Sequence, residues 1–270
     1  MSNLDLFSVS KETVIITGAS GQLGLVYQKA FLREGSNVVG IDINKSQEID
    51  DLKSEFKNKY LFLNGDITSK SSLEKCLKDI KQKFEVPSVL INNAALDSPP
   101  GSGHDETGPF EAYPENSWDK VLDVNLKGTF LTCQIFGAEM ASIGRGSIIN
   151  ISSIYGMVSP DQNIYNYKKK NGEVFYKPVA YSASKSGVMN LTRYLATYWA
   201  RRNVRVNTVS LAGVFNDQEE EFLESYCSRI PIGRMAKENE YIGAIMFLSS
   251  DASTYMTGSN LVIDGGWTSI

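Results

Sequence analysis

Thr13-Val-Ile-Ile-Thr17 is an unbroken β-branched run, and a glycine follows it at once. β-Branched side chains are stiff at χ1 and pack well on a pleated surface, so the run reads as a buried strand. Next comes Thr17-Gly-Ala-Ser-Gly-Gln-Leu-Gly24, and then a helical pattern from about Leu25 to Arg33. Glycines at 18, 21 and 24 between a strand and a helix suit a dinucleotide-binding turn. One closes the turn, one lets backbone N–H groups approach a pyrophosphate, and one lets helix and strand pack closely. The phosphates would sit at the helix N-terminus, where free N–H groups and the dipole favour negative charge. An ordinary strand-to-helix loop is the alternative, and the turn alone does not separate the two.

The alternation continues along the chain. Asn37-Val-Val-Gly-Ile-Asp42 is a second strand, and Asp42 lies 18 residues after Gly24. A carboxylate there would accept hydrogen bonds from an adenosine ribose and repel a 2′-phosphate, which favours NAD over NADP. A charged helix over 48–58 leads to the strand Tyr60-Leu-Phe-Leu-Asn64, then to Asp66, either a turn residue or an adenine contact. Ser71 and Glu74 form a capping box for a helix running to about Phe84. Ser88-Val-Leu-Ile-Asn92 is a fourth strand that delivers Asn93-Ala-Ala95, small residues able to lie against a flat ring. A long helix over 117–140 places Trp118, Val121, Leu122, Leu126, Phe130 and Leu131 on one side, with Asn125 among them. A buried amide needs partners, so Asn125 is either a structural link or a kink that holds a water.

Gly146-Ser-Ile-Ile-Asn-Ile-Ser-Ser153 is the fifth strand; Ser153 either caps the chain or holds a substrate oxygen. Asn203–Ser210 is a sixth strand, helices follow over 217–229 and 238–249, and Leu261–Asp264 closes the sheet. Strands alternating with helices, and no break in composition, predict one α/β domain over 1–270. It is a doubly wound, Rossmann-type parallel sheet of about seven strands with helices on both faces.

Tyr181-Ser-Ala-Ser-Lys185 carries the chemistry. The tyrosine and lysine are four apart and share a helical face. Val188, Leu191, Leu195 and Tyr198 form an apolar stripe that docks this helix on the core. A phenol titrates near pKa ~10, so about one in a thousand is ionised at neutral pH. An ammonium held close lowers that value, each unit being worth about 1.4 kcal/mol, and the pair can then serve as a general acid/base. Residues 154–178 precede the helix and mix Tyr155, Tyr165, Tyr167, Phe175 and Tyr176 with amides and charges. A loop this long is a lid or binding loop, or is disordered, and its aromatics oppose disorder. Such a mixture suits a polyhydroxylated ligand.

Composition removes other classes. A net charge of −4 and a pI near 5.3 oppose nucleic-acid or anionic-membrane binding. Lys168-Lys169-Lys170, the one basic run, reads as a solvated loop. Cys76, Cys133 and Cys227 are far apart and form no C-x-x-C or Cys/His cluster, so reduced thiols, a cytoplasmic location and no metal site are expected. The polar start shows no signal peptide, and no apolar run is long enough to span a membrane. His104 is the only histidine and, without a partner nearby in sequence, reads as a surface loop residue.

With the glycine turn, Asn92-Asn-Ala-Ala95, Ser152-Ser153, Y-x-x-x-K and Asp264-Gly-Gly266 in this order, the chain resembles the short-chain dehydrogenase/reductase family over nearly its whole length. The resemblance makes Tyr181 the proton donor or acceptor. It has Lys185 lower that pKa and grip the nicotinamide ribose, Ser153 orient the substrate oxygen, and Asn125 hold a water in a proton relay. The cofactor set it implies is Gly18, Ser20, Gln22, Leu23, Gly24, Asp42, Asp66, Ile67, Asn93, Ala94, Ala95, Gly213 and Val214 with Tyr181 and Lys185. It also implies a homotetramer, with the helices over 117–140 and 179–201 packed across one interface and the C-terminal strand region at another. The expected activity is NAD-dependent interconversion of a secondary alcohol and a ketone on a small polar substrate.

The chain departs from the family pattern in three places. Thr17 to Gly24 reads T-G-x-x-G-x-x-G, with Gln22 where the middle glycine stands in single-domain members. That spacing is commoner among sugar-nucleotide epimerases, so an epimerase or dehydratase with tightly bound NAD is one rival, and a non-catalytic dinucleotide-binding module is another. Leu211-Ala212 replaces the usual Pro-Gly before Gly213. Ser153 and Tyr181 are 28 positions apart, further than in the family pattern, so the extra residues form a substrate-loop insertion over 154–178. Val214-Phe-Asn-Asp-Gln218, Arg229-Ile-Pro-Ile-Gly-Arg-Met235 and the Asp264-Gly-Gly-Trp267 ending look like a bacterial subgroup associated with flagellin glycosylation and nonulosonate-sugar synthesis. That likeness implies a sugar-derived substrate.

Overall fold

The computed structural model describes residues 5–97, 104–170 and 172–270, apart from the side chains of His104, Asp105 and Lys170. Seven strands form one sheet: β1 (Thr13–Thr17), β2 (Asn37–Asp42), β3 (Tyr60–Asn64), β4 (Val89–Asn92), β5 (Gly146–Ser153), β6 (Val204–Leu211) and β7 (Asn260–Ile263). Every pairing is parallel, in the order β3-β2-β1-β4-β5-β6-β7. The winding therefore reverses between β1 and β4. Ligands of open α/β sheets bind at such a switch point, beyond the carboxyl ends of the strands.

Successive strand residues face opposite sides of the sheet, and here both sides are buried. Val14, Ile16, Val38, Val89, Ile91 and Ile149 join one apolar cluster with Tyr27, Phe31 and Leu32 of α1 (Gln22–Arg33) and Ile49 and Leu52 of α2 (Gln47–Phe56). Ile15, Val39, Ile41, Leu90 and Ile148 join the opposite cluster, with Leu73 and Ile80 of α3 (Lys70–Lys83) and Phe136 and Met140 of α4, a helical run over 115–143. Helix α5 (Val179–Trp199) covers the same side through Leu195, Ala196 and Trp199. Helices α6 (Glu220–Cys227) and α7 (Ile242–Ser249) complete the chain, and α7 buries Ile245 and Leu248 in the first cluster.

Several details differ from the sequence reading. Helix α1 begins at Gln22, before Leu25, because Gly21 O already accepts from Leu25 N at 2.9 Å. The cap of α3 is Ser69, whose hydroxyl accepts from Ser72 N, and not Ser71. Tyr198 is 59% exposed and Trp199 takes its place on the core side, since the buried stripe runs Val188, Thr192, Leu195, Trp199. Phe130 is likewise exposed rather than buried. Two π segments, Asp123–Gly128 and Cys133–Gly137, interrupt α4, and Asn125 lies in the first. The lysine run is not a solvated loop: Lys168 lies in the helical turn Asn166–Lys170 and reaches Glu219 at 3.0 Å. His104 opens the turn His104–Thr107; the expectation for its side chain lies outside the described residues.

The connection over 154–178 packs down. Ile164 and Tyr165 join Tyr226, Ile230 and Met235 in a third apolar cluster, with Phe175, Phe222 and Trp267 against it. The Tyr165 and Phe175 ring centroids are 4.5 Å apart. This cluster lies off the sheet and walls the cleft instead.

Candidate active site

The glycine turn after β1 obeys local geometry at two of its three glycines. Gly18 has φ +66°, which disfavours any residue with a Cβ, and a Cβ there would meet Ala94 Cα at 2.8 Å. A Cβ on Gly24 would lie 2.1 Å from Gly18 O, so only glycine lets α1 sit on the turn. Beneath the turn, buried Gln28 donates to Ala19 O at 2.6 Å and Gly24 O at 3.0 Å, and accepts from Tyr60 Oη at 2.6 Å. Asn93 ties the two sides of the switch point together. Its amide donates to Thr17 O at 3.1 Å and Gly18 O at 3.2 Å.

Asp42 ends β2 with its carboxylate at this turn. Its oxygens accept from Ser20 N at 3.0 Å and Asn44 N at 2.9 Å, and each keeps further acceptor capacity. Asp66 accepts from Thr68 N and Thr68 Oγ1, both at 2.8 Å, a turn role, and it also faces the cleft. A cavity of about 410 Å³ opens here, lined by Gly18, Gln22, Leu23, Asp42, Asp66, Ile67, Asn93, Ala94 and Ala95. Ser20 and Gly24 do not line it; they shape the turn from behind. Backbone N–H groups, a ribose-height carboxylate and a glycine cradle in one cleft fit a nicotinamide dinucleotide.

A neighbouring cavity of about 480 Å³ shares Gln22, Leu23, Asn93 and Ala95 with the first. Ser153, Tyr181, Lys185, Gly213 and Val214 line it. Lys185 is 3% exposed, donates to Ile151 O at 2.9 Å, and holds its ammonium 5.6 Å from the Tyr181 ring centre. Burial pulls the Lys185 pKa down to about 8, against the opposing pull of Asp97. Tyr181 is part-buried, and burial holds its phenol above the ordinary tyrosine range. Asp97 adds to the rise, and a hydrogen bond with Ser153 opposes it. That direction is opposite to the lowering expected from the sequence: burial is the largest cause. Ser153 takes the capping role, since its hydroxyl accepts from Tyr155 N at 3.2 Å, and it also lines the cavity.

Asn125 is 1% exposed and its amide is fully engaged. It accepts from Leu96 N at 2.7 Å and donates to Leu96 O at 2.8 Å and Ser184 Oγ at 2.9 Å. It lines neither cavity and links the segment after β4 to α5, while the π segment it lies in interrupts α4 at the same place.

Other site residues escape sequence reasoning. Lys177 Nζ lies 5.4 Å from the Tyr181 ring centre and 2.5 Å from Asp97 Oδ2, so a second cation, paired with a carboxylate, lies beside the phenol. Tyr226 Oη accepts from Gly213 N at 2.8 Å and Tyr241 Oη donates to Ala212 O at 3.1 Å, so two tyrosines hold the segment that lacks Pro-Gly. Gln22, at the missing glycine, donates to Phe215 O at 3.2 Å and bridges the cleft. Gln22 stands in the glycine turn, but its partner Phe215 and the other residues belong to no local motif; only the α/β register brings them together. Among the described residues no group of three or more His, Cys, Asp or Glu could hold a metal ion. No helix among them is long and apolar enough to cross a membrane.

Comparison with known proteins gives the same picture. A family profile described as short chain dehydrogenase matches residues 12–225. An NAD-dependent glycerol dehydrogenase of Listeria innocua is 31% identical over 268 residues, covering 97% of this chain and 96% of that protein. A ribulose-forming D-arabinitol 2-dehydrogenase of Candida tropicalis is 32% identical over 285 residues, covering 97% and 94%. Among solved structures, a short chain dehydrogenase from Leptospira borgpetersenii with bound NAD+ superposes with a TM-score of 0.85 at 30% identity, covering 99% of this chain and 96% of that one.

Proposed function

The chain belongs to the short-chain dehydrogenase family, and from that membership we propose that it interconverts a secondary alcohol and a ketone on a polyol or other sugar-derived substrate, with NAD as redox partner. One observation carries the reading: Tyr181, Lys185 and Ser153 face a cavity that shares its wall with the glycine-turn cavity. The relatives named for glycerol and D-arabinitol support the substrate class.

Bound NAD would supply the acceptor for the hydride, and the protein supplies position and electrostatics. The turn over 18–24 would hold the pyrophosphate and Asp42 the adenosine ribose, which favours NAD over NADP. Ser153 orients the substrate hydroxyl and Tyr181 takes its proton. A neutral phenol beside a neutral lysine and a phenolate beside an ammonium hold the same number of protons. The pair therefore becomes a base on losing one proton, near the Lys185 value of about 8. Lys177, held by Asp97, also lies beside the ring. Tyr194 and Tyr198, 64% and 59% exposed on α5, support packing against a second copy, in keeping with a homotetramer. Three free thiols suit the cytoplasm.

The test is NAD and NADP reduction by glycerol, tetritols, pentitols and hexitols, with Asp42→Ala in parallel. Net NADH accumulation with a polyol is expected, and Asp42→Ala should narrow the NAD preference about tenfold, the worth of one charged hydrogen bond. No turnover with any of these alcohols, or NAD consumed and returned without net change, sinks the reading.

A further inference from the structure

A third cavity of about 610 Å³ adjoins the catalytic one, and the two share Tyr155 and Lys177 as walls. It is built from residues just before α4, from the 154–178 connection, and from α5 at Ser182 and Ser186. Its wall holds buried polar atoms with no hydrogen-bond partner among the described residues: Glu106 Oε2, Tyr113 Oη and Ser182 Oγ. Glu106 matters most. It is 6% exposed, one carboxylate oxygen accepts from Ser117 Oγ, the second is buried without a partner among the described residues, and the residue lines the cavity. Leaving a buried carboxylate oxygen unmatched is costly, and buried polar groups are nearly always paired. Several such atoms around one opening mark a place made for hydrogen-bond donors.

Charge sets what kind of donor. Glu106 and Glu111 line the cavity, while its lining cation, Lys177, is already held by Asp97 at 2.5 Å. Among the described lining residues an incoming carboxylate or phosphate would find no free cation and would face Glu106. Hydroxyls or an ammonium would find acceptors.

We propose that this outer cavity is a second substrate subsite, receiving the hydroxylated end of a polyol whose reacting carbon lies against Tyr181, with Glu106 selecting hydroxyl or ammonium ends over carboxylate ends. The proposal rests on the oxidoreductase reading above. A substrate filling both cavities is longer than glycerol, and its far end is recognised by residues that take no part in the chemistry. Binding energy from that end can be used at the reacting centre.

Glucitol, 1-amino-1-deoxyglucitol and gluconate share one carbon skeleton and differ at one end: hydroxymethyl, ammonium or carboxylate. Wild type and Glu106→Gln are compared on these three and on glycerol, by steady-state kinetics and by calorimetric titration into the protein with NADH. The wild type should prefer glucitol and aminoglucitol to gluconate by about tenfold or more in kcat/KM, the worth of a charged hydrogen bond. Glu106→Gln should close most of that gap through KM rather than kcat, with a larger loss on the long substrates than on glycerol. Equal losses on glycerol and the hexitols, or an unchanged gap, overturn the subsite. If no polyol reduces NAD, the oxidoreductase reading fails, and calorimetry still decides the subsite. Aminoglucitol binding that is lost in Glu106→Gln supports it; equal binding, or none to either protein, overturns it. Should Glu106→Gln not fold, Ser182→Ala is judged by the same gap.

Discussion

The two halves of the cleft are made of different material. The nucleotide half rests on backbone geometry: Gly18 at φ +66°, Gly24 pressed on Gly18 O, and Asp42 accepting from the backbone N–H groups of Ser20 and Asn44. The substrate half rests on side-chain contacts between separate elements: Asp97 with Lys177, Tyr226 with Gly213, and Tyr165 with Phe222. Backbone geometry tolerates few residues and so leaves a local signature. Side-chain walls tolerate many, and so can vary in substrate without disturbing the fold.

The sharpest way to break that contrast is Tyr181→Phe. Removing the phenolic oxygen from the substrate half should lower kcat by on the order of 10²–10⁴, the range for a lost general acid/base. NAD affinity, measured by fluorescence titration, should hold, because the cradle over 18–24 and Asp42 do not touch the phenol. A parallel loss of NAD binding would show that the halves are not separable.

The same contrast explains what could be read early. Strands β1, β2, β3 and β5 fall at the residues expected, because apolar runs buried on both faces leave no other reading. Tyr181, Lys185 and Ser153 were legible because helical and strand periodicity places them. Lys177 was not: it lies 80 positions from Asp97, and only the end of β4 meeting the start of α5 brings them together. The direction of the Tyr181 shift was misread for a related reason. Spacing reveals a nearby cation, but burial depends on the packed surroundings, and burial dominates here.

A smaller effect sharpens the nucleotide side. Gly24→Ala would force a methyl group to within 2.1 Å of Gly18 O, whereas Gly21→Ala meets nothing nearer than 3.4 Å. Overpacking of that kind costs about 1–3 kcal/mol. Gly24→Ala should therefore lower Tm and weaken NAD about tenfold, with Gly21→Ala much closer to wild type in Tm. Equal Tm losses in both variants would mean that the turn yields as a unit and that backbone fit is not what fixes it.

The smallest effect probes the buried lysine through stability. Lys185 titrates near pH 8 in the fold against an ordinary value of 10.5. Its folded pKa is depressed, so below pH 8 the ammonium is carried in both states and its burial opposes folding in full. Between pH 8 and 10.5 the folded protein releases the proton before the unfolded chain does, and stability rises with pH. Lys185→Met removes this dependence, and it also leaves Ile151 O without its donor, a penalty that does not vary with pH. The slope rather than the level is therefore diagnostic. Melting of the two proteins between pH 7 and about pH 9, below the ionisation of ordinary tyrosines near pH ~10, should show wild type gaining on Lys185→Met as pH rises, by a Tm difference of about a few degrees. Parallel curves across that window would place the lysine's proton outside the fold's energetics, and the argument that the Tyr181–Lys185 pair becomes a base near pH 8 would fall with it.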